Sequence, residues 1–245
     1  MPGKLHDKVA VVTGGSSGMG LATAELFVQE GALVYITGRR QEPLDAATAR
    51  FGPTLRGVVA DSSDLDDIDR LFSTIDVEAG RLDVLFASAG VGNLTEPLAE
   101  VTPESFDQLF GLNVRGTLFA AQKAAELMTE GGSIILNGSA AAEKAMPGSS
   151  VYAASKAALK AFARVWSAEL APRRIRVNVL HPGPTDTPAI RGRPQEVRDF
   201  LVSLTTIGRL AQPAEIATAA LFLASSDSSF VTGTELFVTG GMGQS

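Results

Sequence analysis

The chain has 245 residues, no cysteine and a formal net charge of −6. Its length and its 45% hydrophobic content are sufficient for one substantial core. The acidic balance argues against an electrostatic grip on nucleic acid or on an anionic membrane. The absence of cysteine excludes disulfides, thiol catalysis and thiolate metal ligands, and no metal site is predicted. No stretch has the length of a membrane span or the apolar core of a signal peptide, so a cytoplasmic globular protein is expected.

Short apolar runs alternate with longer amphipathic stretches along the whole chain. Continuous apolar runs are typical of strands buried on both faces, and they occur at 9–12, 32–36, 57–60, 83–87, 133–136, 175–180 and 235–238. Helical patterns lie between them, near 19–30, 41–51, 64–79, 103–129, 150–171 and 213–225. Repeated strand–helix–strand units predict right-handed crossovers and one α/β domain, 1–245, with a parallel sheet covered by helices on both faces.

One long segment, 182–212, shows no clear regularity. A stretch of that length inside a compact domain is usually functional and is often a lid. We therefore predict a substrate-binding lid over residues 185–210.

A glycine-rich turn, "TGGSSGMG", stands between the first predicted strand and the first predicted helix. Glycines let the backbone pass close to a ligand, and a helix N-terminus offers free N–H groups to a pyrophosphate. The spacing is G-x-x-x-G-x-G and differs from the commoner dinucleotide fingerprint. The strand–turn–helix setting nevertheless predicts nucleotide binding. The predicted contacts are Gly14, Ser16, Ser17, Gly18, Met19 and Gly20.

The same turn also satisfies G-x-S-x-G, the nucleophile elbow of serine hydrolases, with Ser16 as nucleophile. This alternative is disfavoured because the turn follows the first strand, which leaves no earlier loop to supply a second oxyanion donor. Its base would have to be His181, since His6 precedes the serine. His181 is followed by proline, and the simpler interpretation is that it positions a turn at a strand end.

The second predicted strand ends in "VYITGRR". NAD-binding units place a carboxylate here to hold the ribose 2′-hydroxyl, whereas a nearby arginine accommodates a 2′-phosphate. Gly38 occupies the carboxylate position, and Arg39 and Arg40 follow it. Guanidinium groups form charge-assisted hydrogen bonds with phosphate, so NADP(H) is predicted in preference to NAD(H), with Thr37, Arg39 and Arg40 as contacts. The alternative is that both arginines are simply solvated.

Tyr152 and Lys156 stand four apart in "YAASK", a spacing that places both side chains on one helical face. Together with "TGGSSGMG", "ASAG", "LNVRG", "NGSA" and "PGPTDT", in this order, the chain resembles the short-chain dehydrogenase/reductase family over essentially its whole length. The resemblance implies a Rossmann-like, doubly wound sheet of about seven parallel strands and an oxidoreductase acting on alcohols and carbonyls. It also implies a homo-oligomer, a tetramer or else a dimer.

The resemblance implies catalytic roles for Asn113, Ser139, Tyr152 and Lys156. Tyr152 would give a proton to the carbonyl oxygen during reduction and accept one from the alcohol during oxidation, and Ser139 would hydrogen-bond the substrate oxygen. Lys156 would lower the phenol pKa and bind the nicotinamide ribose, and Asn113 would hold a water in a proton relay. A lysine charge ~5 Å away, at an effective dielectric of ~20, supplies about 3 kcal/mol towards the ~4 kcal/mol that such a lowering needs.

Further cofactor contacts follow from the resemblance alone, in addition to Tyr152 and Lys156. Two motifs depart from the family pattern, because the usual Asn-Asn-Ala-Gly is "ASAG" and the usual Val-Asp-Gly-Gly is "VTGG". The first departure puts side-chain hydrogen bonding at Ser88 in doubt. The implied contacts are Asp61, Ser62, Ser88, Ala89, Gly90, Pro182, Gly183, Thr185 and Thr187.

Substrate choice is expected to reside in 91–95, 140–147 and 185–210, and the apolar residues of the last segment favour ketones or aldehydes of modest polarity. A 3-oxoacyl-[acyl-carrier] reductase is the alternative within the family, although Glu126 and Glu130 do not suit an acidic carrier. A non-catalytic NADP-binding regulator is the alternative from another class, and it would have no need of the four catalytic residues together.

Overall fold

Seven parallel strands form the centre of the molecule. The structure is a computed structural model, and it describes residues 2–92 and 96–242. The strand order is β3-β2-β1-β4-β5-β6-β7, and every neighbouring pair is parallel. The predicted seven-stranded parallel sheet is therefore confirmed. The strands are β1 (Val9–Thr13), β2 (Leu33–Gly38), β3 (Leu55–Val59), β4 (Leu82–Ala87), β5 (Met128–Asn137), β6 (Arg176–Pro182) and β7 (Glu235–Val238).

Helices cover both faces of this sheet, as the alternating pattern predicts. Within β1, Val9 and Val11 join the core under α3, α5 and α6, whereas Ala10 and Val12 join the core under α1, α2 and α9. Both cores need apolar residues, so the strand carries no polar alternation. The helices are α1 (Gly18–Gln29), α2 (Gln41–Thr48), α3 (Leu65–Ala79), α4 (Pro103–Phe110), α5 (Thr117–Leu127), α6 (Ser150–Glu169), α7 (Pro188–Arg191), α8 (Gln195–Ser203) and α9 (Pro213–Ala224).

The strand order reverses between β1 and β4. Chain connections leave these two neighbouring strands in opposite directions, which opens a crevice beyond their carboxyl ends. In open α/β sheets this crevice is the usual ligand site. The glycine-rich turn after β1 and the "ASAG" loop after β4 both lie there.

The helical stretch predicted near 103–129 is confirmed over 103–127, but it is not one uniform α-helix. Two α-helices, α4 and α5, are joined by a π-helical turn at Gly111–Gly116, and the chain is already paired as a strand at Met128. A π turn widens the helix by one residue and occurs frequently at functional sites. This turn places the side chain of Asn113 fully inside the protein.

The segment 182–212 is more regular than the sequence suggests, because it contains α7 and α8. Pro188 occupies the first helical position after Thr187, where its missing N–H has no consequence. Pro194 directly precedes the first residue of α8. Both helices are short and expose much of their surface, which explains why no apolar period was visible in the sequence.

Candidate active site

The turn after β1 is packed so tightly that several of its glycines have no room for a side chain. A Cβ on Gly14, whose φ is +65°, would lie 2.8 Å from Ala89 Cα, and a Cβ on Gly20 would lie 2.4 Å from Gly14 O. Gly14 N donates a 3.1 Å hydrogen bond to the hydroxyl of Thr37, which is buried. Thr37, on β2, thus holds the turn in place. The N-terminal end of α1, with its unpaired backbone N–H groups, faces the crevice.

At the carboxyl end of β2, Ser16 and Gly38 lie together. A Cβ on Gly38 would lie 2.6 Å from Ser16 Oγ, so a carboxylate could not stand there without moving the turn. Arg39 and Arg40 follow as exposed side chains that make no hydrogen bond or ion pair with the described residues. Both guanidinium groups are free to meet an anion beside Ser16.

The loop after β4 closes the other side of the crevice. Ala89 N donates to Thr13 Oγ1 over 3.1 Å, which fixes the loop to the end of β1. A Cβ on Gly90 would lie 3.1 Å from Asn113 Oδ1 and 3.3 Å from Lys156 Nζ. Glycine at position 90 therefore lets this loop pass directly over two of the predicted catalytic residues.

Asn113 holds that loop in place through its side-chain amide. Its Oδ1 accepts from Val91 N over 3.0 Å, and its Nδ2 donates to Val91 O over 2.9 Å and to Ser155 Oγ over 3.1 Å. Both amide hydrogens are consequently used within the protein. A relay water held by Asn113 would have to use its main-chain carbonyl or the remaining lone pair of Oδ1.

Asp61 and Ser62 follow β3 at the adjoining edge of the crevice. Asp61 Oδ1 accepts from Ser63 N over 2.9 Å and from Ser63 Oγ over 2.7 Å, so one carboxylate oxygen is used locally. The cap of α3 is Asp64, whose side chain accepts from Asp66 N, and not Asp61. The π turn packs against Ser62, since a Cβ on Gly116 would lie 1.9 Å from Ser62 O.

Tyr152 and Lys156 do converge on one face of α6, at the carboxyl ends of β4 and β5. The phenol of Tyr152 lines a cavity of about 510 Å³. The ammonium of Lys156 is buried, lies 5.9 Å from the centroid of the Tyr152 ring and donates a 2.7 Å hydrogen bond to Asn137 O.

Burial acts on both titratable groups of this pair. It lowers the pKa of Lys156 to about 8, because the ammonium has left water for one carbonyl partner. Burial also raises the pKa of Tyr152, and a hydrogen bond with the Ser139 hydroxyl opposes that rise. The net direction is upward, opposite to the lowering expected from the lysine charge, because burial is the largest influence on the pKa of the phenol.

Ser139 begins the loop that follows β5, and it lines the same cavity as Tyr152. Its hydroxyl accepts from Ala141 N over 3.1 Å, which fixes the side-chain rotamer. A serine hydroxyl can accept this bond and still donate its own hydrogen to another oxygen. Ser139 is therefore able to donate to the phenol or to a substrate oxygen.

The loop after β6 forms a further wall. A Cβ on Gly183 would lie 2.7 Å from Thr239 Cα, and Thr185 Oγ1 donates to Gly183 O over 2.9 Å. A Cβ on Gly18 would lie 3.2 Å from Thr187 Cγ2, so this loop reaches the N-terminus of α1. Pro182, Gly183, Thr185 and Thr187 all line the cavity.

The three segments predicted to select substrate all contribute to the cavity. Gly92 comes from 91–95, of which 93–95 lie outside the described residues, and Ala140, Ala141 and Met146 come from 140–147. From the predicted lid, α7, α8 and the link between them add mostly apolar side chains. These are Ala189, Ile190, Pro194, Val197 and Leu201, with Arg193 as the charged one.

Sequence reasoning missed Asn137 and did not connect His181 with Ser139. Asn137 Oδ1 is buried at the cavity without a hydrogen-bond partner among the described residues, which suits a ligand with N–H or O–H donors. The available signal was its place at the end of an apolar strand, two residues before Ser139. His181 does hold a strand-end turn as expected, but the turn is the one that carries Ser139.

The serine-hydrolase constellation is not formed. Ser16 lies at the end of β2, and His181 lies on β6, four strand spacings away, or roughly 19 Å. His181 faces the Ser139 backbone and Glu235 instead.

Within the described ranges, no group of His, Asp and Glu side chains could hold a metal ion, and no helix is long and apolar enough to cross a membrane.

Comparison with known proteins agrees with this geometry. Residues 14–243 match a family model described as enoyl-(acyl carrier protein) reductase. The chain is 45% identical over 244 residues to "Oxidoreductase asL5" of Sarocladium schorii, covering 98% of each chain. It is 37% identical over 247 residues to cyclopentanol dehydrogenase of a Comamonas species, again covering 98% of each. A solved short-chain dehydrogenase/reductase from Serratia marcescens superposes with a TM-score of 0.94 at 34% identity, covering 98% of this chain and 99% of that one. A match of this extent in sequence and in fold shows that the chain belongs to the short-chain dehydrogenase/reductase family.

Proposed function

We propose that this protein transfers a hydride between NADP(H) and a carbonyl compound or secondary alcohol, with Tyr152 as general acid and base. The observation that supports this most is that the Tyr152 phenol and the Ser139 hydroxyl line one cavity at the carboxyl ends of the strands, with the Lys156 ammonium buried behind them. A bound nicotinamide supplies the hydride. The protein supplies the proton, the hydrogen bonds to the substrate oxygen and the exclusion of water.

Proton transfer follows from the environment of the phenol. During reduction Tyr152 must be protonated, and burial keeps it so by raising its pKa. As it donates its proton to the carbonyl oxygen, the Ser139 hydroxyl donates a hydrogen bond to the same oxygen and stabilises the developing charge. The resulting phenolate lies near the Lys156 ammonium, whose attraction is strongest at that moment, because opposite charges within about 6 Å stabilise one another.

The cofactor site that we propose extends from the turn after β1 to the ends of β2 and β3. The N-terminus of α1, from Ser17 to Gly20, would hold the pyrophosphate. Ser16, Arg39 and Arg40 would hold a 2′-phosphate, because glycine at position 38 places no carboxylate there to repel it and neither guanidinium has another partner among the described residues. The buried and unpartnered Oδ1 of Asn137 fits a donor group of the nicotinamide end.

An absorbance assay of NADPH consumption tests the reaction over a panel of cyclic ketones, aldehydes and a 3-oxoacyl thioester. Tyr152→Phe is expected to lower kcat about 10²- to 10⁴-fold while leaving NADPH affinity, measured by fluorescence, within a factor of two. Tyr35→Phe is the matched control, since Tyr35 is the other tyrosine of the chain and its hydroxyl bonds Glu78, away from the site. Near-full turnover by the Tyr152 variant would refute the assignment.

The cofactor choice is tested by kcat/KM for NADPH and NADH in the wild type and in Arg39→Ala/Arg40→Ala. We expect NADPH to be preferred by the wild type. The double variant should lose tenfold or more in NADPH affinity, because charge-assisted contacts to the 2′-phosphate disappear, and should change little towards NADH. A wild type that uses NADH equally well or better would contradict the choice of NADP(H).

The panel also separates the substrate classes. The apolar lining of the cavity favours ketones or aldehydes with an apolar body. The family includes the 3-oxoacyl-[acyl-carrier-protein] reductase FabG of Thermotoga maritima, 35% identical to this chain, so the thioester is the alternative substrate to be measured.

We further propose a cytoplasmic homo-oligomer, a tetramer or else a dimer, in which exposed apolar side chains of α6 such as Val165 are covered by a second copy.

A further inference from the structure

A buried histidine lies directly behind the loop that carries Ser139. His181, on β6, has no exposed surface, and its ring stacks on Phe237 with 4.7 Å between centroids. Its Nδ1 lies 3.1 Å from the backbone nitrogen of Ser139 and 2.9 Å from the Ser139 carbonyl oxygen. Its Nε2 lies 3.1 Å from Glu235 Oε2 on β7. The imidazole thus stands between the Ser139 peptide and a carboxylate.

The charges around the ring select one tautomer. A proton on Nε2 sets a positive group 3.1 Å from the Glu235 carboxylate oxygen, an electrostatic contact without hydrogen-bond geometry, and leaves Nδ1 free to accept from Ser139 N–H. A proton on Nδ1 would instead set the bare lone pair of Nε2 against the carboxylate and leave Ser139 N–H without its acceptor. The Nε2-protonated neutral form is therefore favoured, because it gives Ser139 N–H its acceptor and places a positive group, and not a lone pair, beside the carboxylate.

A second contact ties the far end of the same loop. Lys160, one helical turn after Lys156 on α6, pairs with Glu143 and also lies 3.3 Å from Glu235 Oε2. Glu143 ends the short turn that Ser139 begins. The loop is consequently held at position 139 by His181 and at position 143 by Lys160, with Glu235 between the two.

We propose that His181 is a positioning residue for Ser139: with the nearby Glu235 carboxylate favouring a proton on Nε2, its Nδ1 fixes the Ser139 peptide so that the serine hydroxyl faces the Tyr152 phenol. The proposal rests on the catalytic role proposed above for Ser139. His181 itself touches neither the cavity nor the reacting atoms, since Gly138 and Ser139 lie between. A Cβ on Gly138 would lie 2.6 Å from its Nδ1, so the glycine at 138 is what lets the ring come so close.

Protonation of His181 would change its partner. A doubly protonated ring must donate from Nδ1, and the acceptor within reach is the Ser139 carbonyl, so Ser139 N–H would lose its bond. Burial lowers the pKa of His181, Glu235 and Glu143 act to raise it, and Lys160 acts to lower it. The neutral form consequently persists at neutral pH, and Ser139 is released only in acid.

Imidazole nitrogen NMR tests this geometry without any catalysis. The chain has two histidines, and His6 is exposed, so a His6→Gln variant assigns the signals of the pair. In ¹⁵N-histidine-labelled protein, His181 is expected as the Nε2-protonated neutral tautomer at pH 7.5. An Nδ1-protonated tautomer, or a doubly protonated ring at this pH, would overturn the proposal.

Two substitutions at position 181 separate positioning from mere packing. Asparagine places an amide oxygen near the place of Nδ1 and can accept from Ser139 N–H, whereas leucine fills the space without an acceptor. His181→Leu is expected to lower kcat tenfold or more with NADPH affinity unchanged, and His181→Asn should recover most of that loss. Equal losses in both variants, or unchanged kcat in the leucine variant, would contradict the positioning role.

Failure of the proposed function and failure of the positioning role of His181 can be told apart. If the wild type turned over no member of the panel, the proposed function would fail, and the NMR experiment would still decide how His181 meets Ser139. If the leucine variant did not fold, Glu235→Gln provides the same contrast. This variant should shift the His181 tautomer balance towards Nδ1 and lower kcat, and an unchanged tautomer would overturn the proposal.

Discussion

Lys156 shows how a single residue is made useful at the expense of stability. Its ammonium is 4% exposed and has one hydrogen-bond partner among the described residues, Asn137 O. Desolvation disfavours the charged form, which is why its pKa falls from 10.5 to about 8. Active sites keep such groups because a charge close to the reacting atoms acts most strongly where water is excluded.

The stability of the wild type relative to Lys156→Met should depend on pH with a definite sign. The folded pKa of about 8 lies below the 10.5 of the unfolded chain, so between these values the unfolded state binds more protons and wild-type stability rises with pH. We expect the wild type to gain about 2 kcal/mol over the variant between pH 7.5 and pH 10, measured by urea unfolding. A constant difference across this range would show that the ammonium is not desolvated. Lys144→Met, at a partly exposed lysine, is the control.

At the scale of residues, the sequence was informative where spacing along one element decides the outcome. Tyr152 and Lys156 share a helical face because they are four apart, and the glycines of the first turn lie where a strand meets a helix. The partners of these residues could not be predicted. Asn137 O meets Lys156 only because β5 ends beside α6, a relation that no local pattern expresses.

The π turn between α4 and α5 is the element whose character most affects the site. An ordinary helix over the same residues would rotate Asn113 relative to the loop after β4, because a π turn contains one residue more than an α turn. Two glycines bound the turn, Gly111 and Gly116, and their surroundings differ completely. Nothing lies within 4 Å of a Cβ on Gly111, whereas a Cβ on Gly116 meets Ser62 O at 1.9 Å.

The same substitution at these two glycines should therefore have opposite effects. Gly116→Ala forces the π turn away from Ser62 and is expected to lower the free energy of unfolding by about 1–3 kcal/mol or more. Gly111→Ala introduces no contact and should raise it by roughly 0.5–1 kcal/mol, because alanine favours helical backbone over glycine. Denaturant melts of both variants check the pair. A stable Gly116 variant would mean that the turn is not held against Ser62.

Elements with long apolar periods were predicted well, and elements defined by tertiary contact were not. All seven strands were found because each is a continuous apolar run. The helical stretch near 103–129 was predicted, but its π turn was not, since apolar spacing does not distinguish an α turn from a π turn. The helices within 182–212 were missed because their exposed faces carry no regular period.

At the amino-terminal edge of the sheet, away from the site, one half-buried arginine joins the sheet to the last helix. Arg176, at the start of β6, donates to Ser228 Oγ over 2.7 Å, to Leu223 O over 2.8 Å and to Ser225 O over 3.2 Å. These carbonyls belong to the end of α9, where helical backbone lacks partners of its own. One guanidinium thus joins the sheet to the last helix and to the chain that leads into β7.

Replacing Arg176 with methionine should destabilise the protein without changing the site. The carbonyls of Leu223 and Ser225 would lose their charged donor and keep only serine donors, so we expect the free energy of unfolding to fall by about 1–3 kcal/mol. NADPH affinity should stay unchanged, because Arg176 lies at the opposite end of β6 from Pro182. Arg164→Met, at an exposed arginine of α6, should change stability by no more than about 0.5 kcal/mol. A fall in NADPH affinity would instead place Arg176 in contact with the site.

The sequence by itself determined the class of fold and the family, because apolar runs, glycine turns and the Tyr152–Lys156 spacing are local features that survive without coordinates. Only the tertiary structure decided what lies behind the reactive groups. Three contacts join residues that are distant along the chain: the hydrogen bonds of Asn113 with Val91 and of Ser139 with His181, and the packing of Gly116 on Ser62. Such contacts depend on which strand ends lie side by side. That is a property of the strand order, and no stretch of sequence contains it.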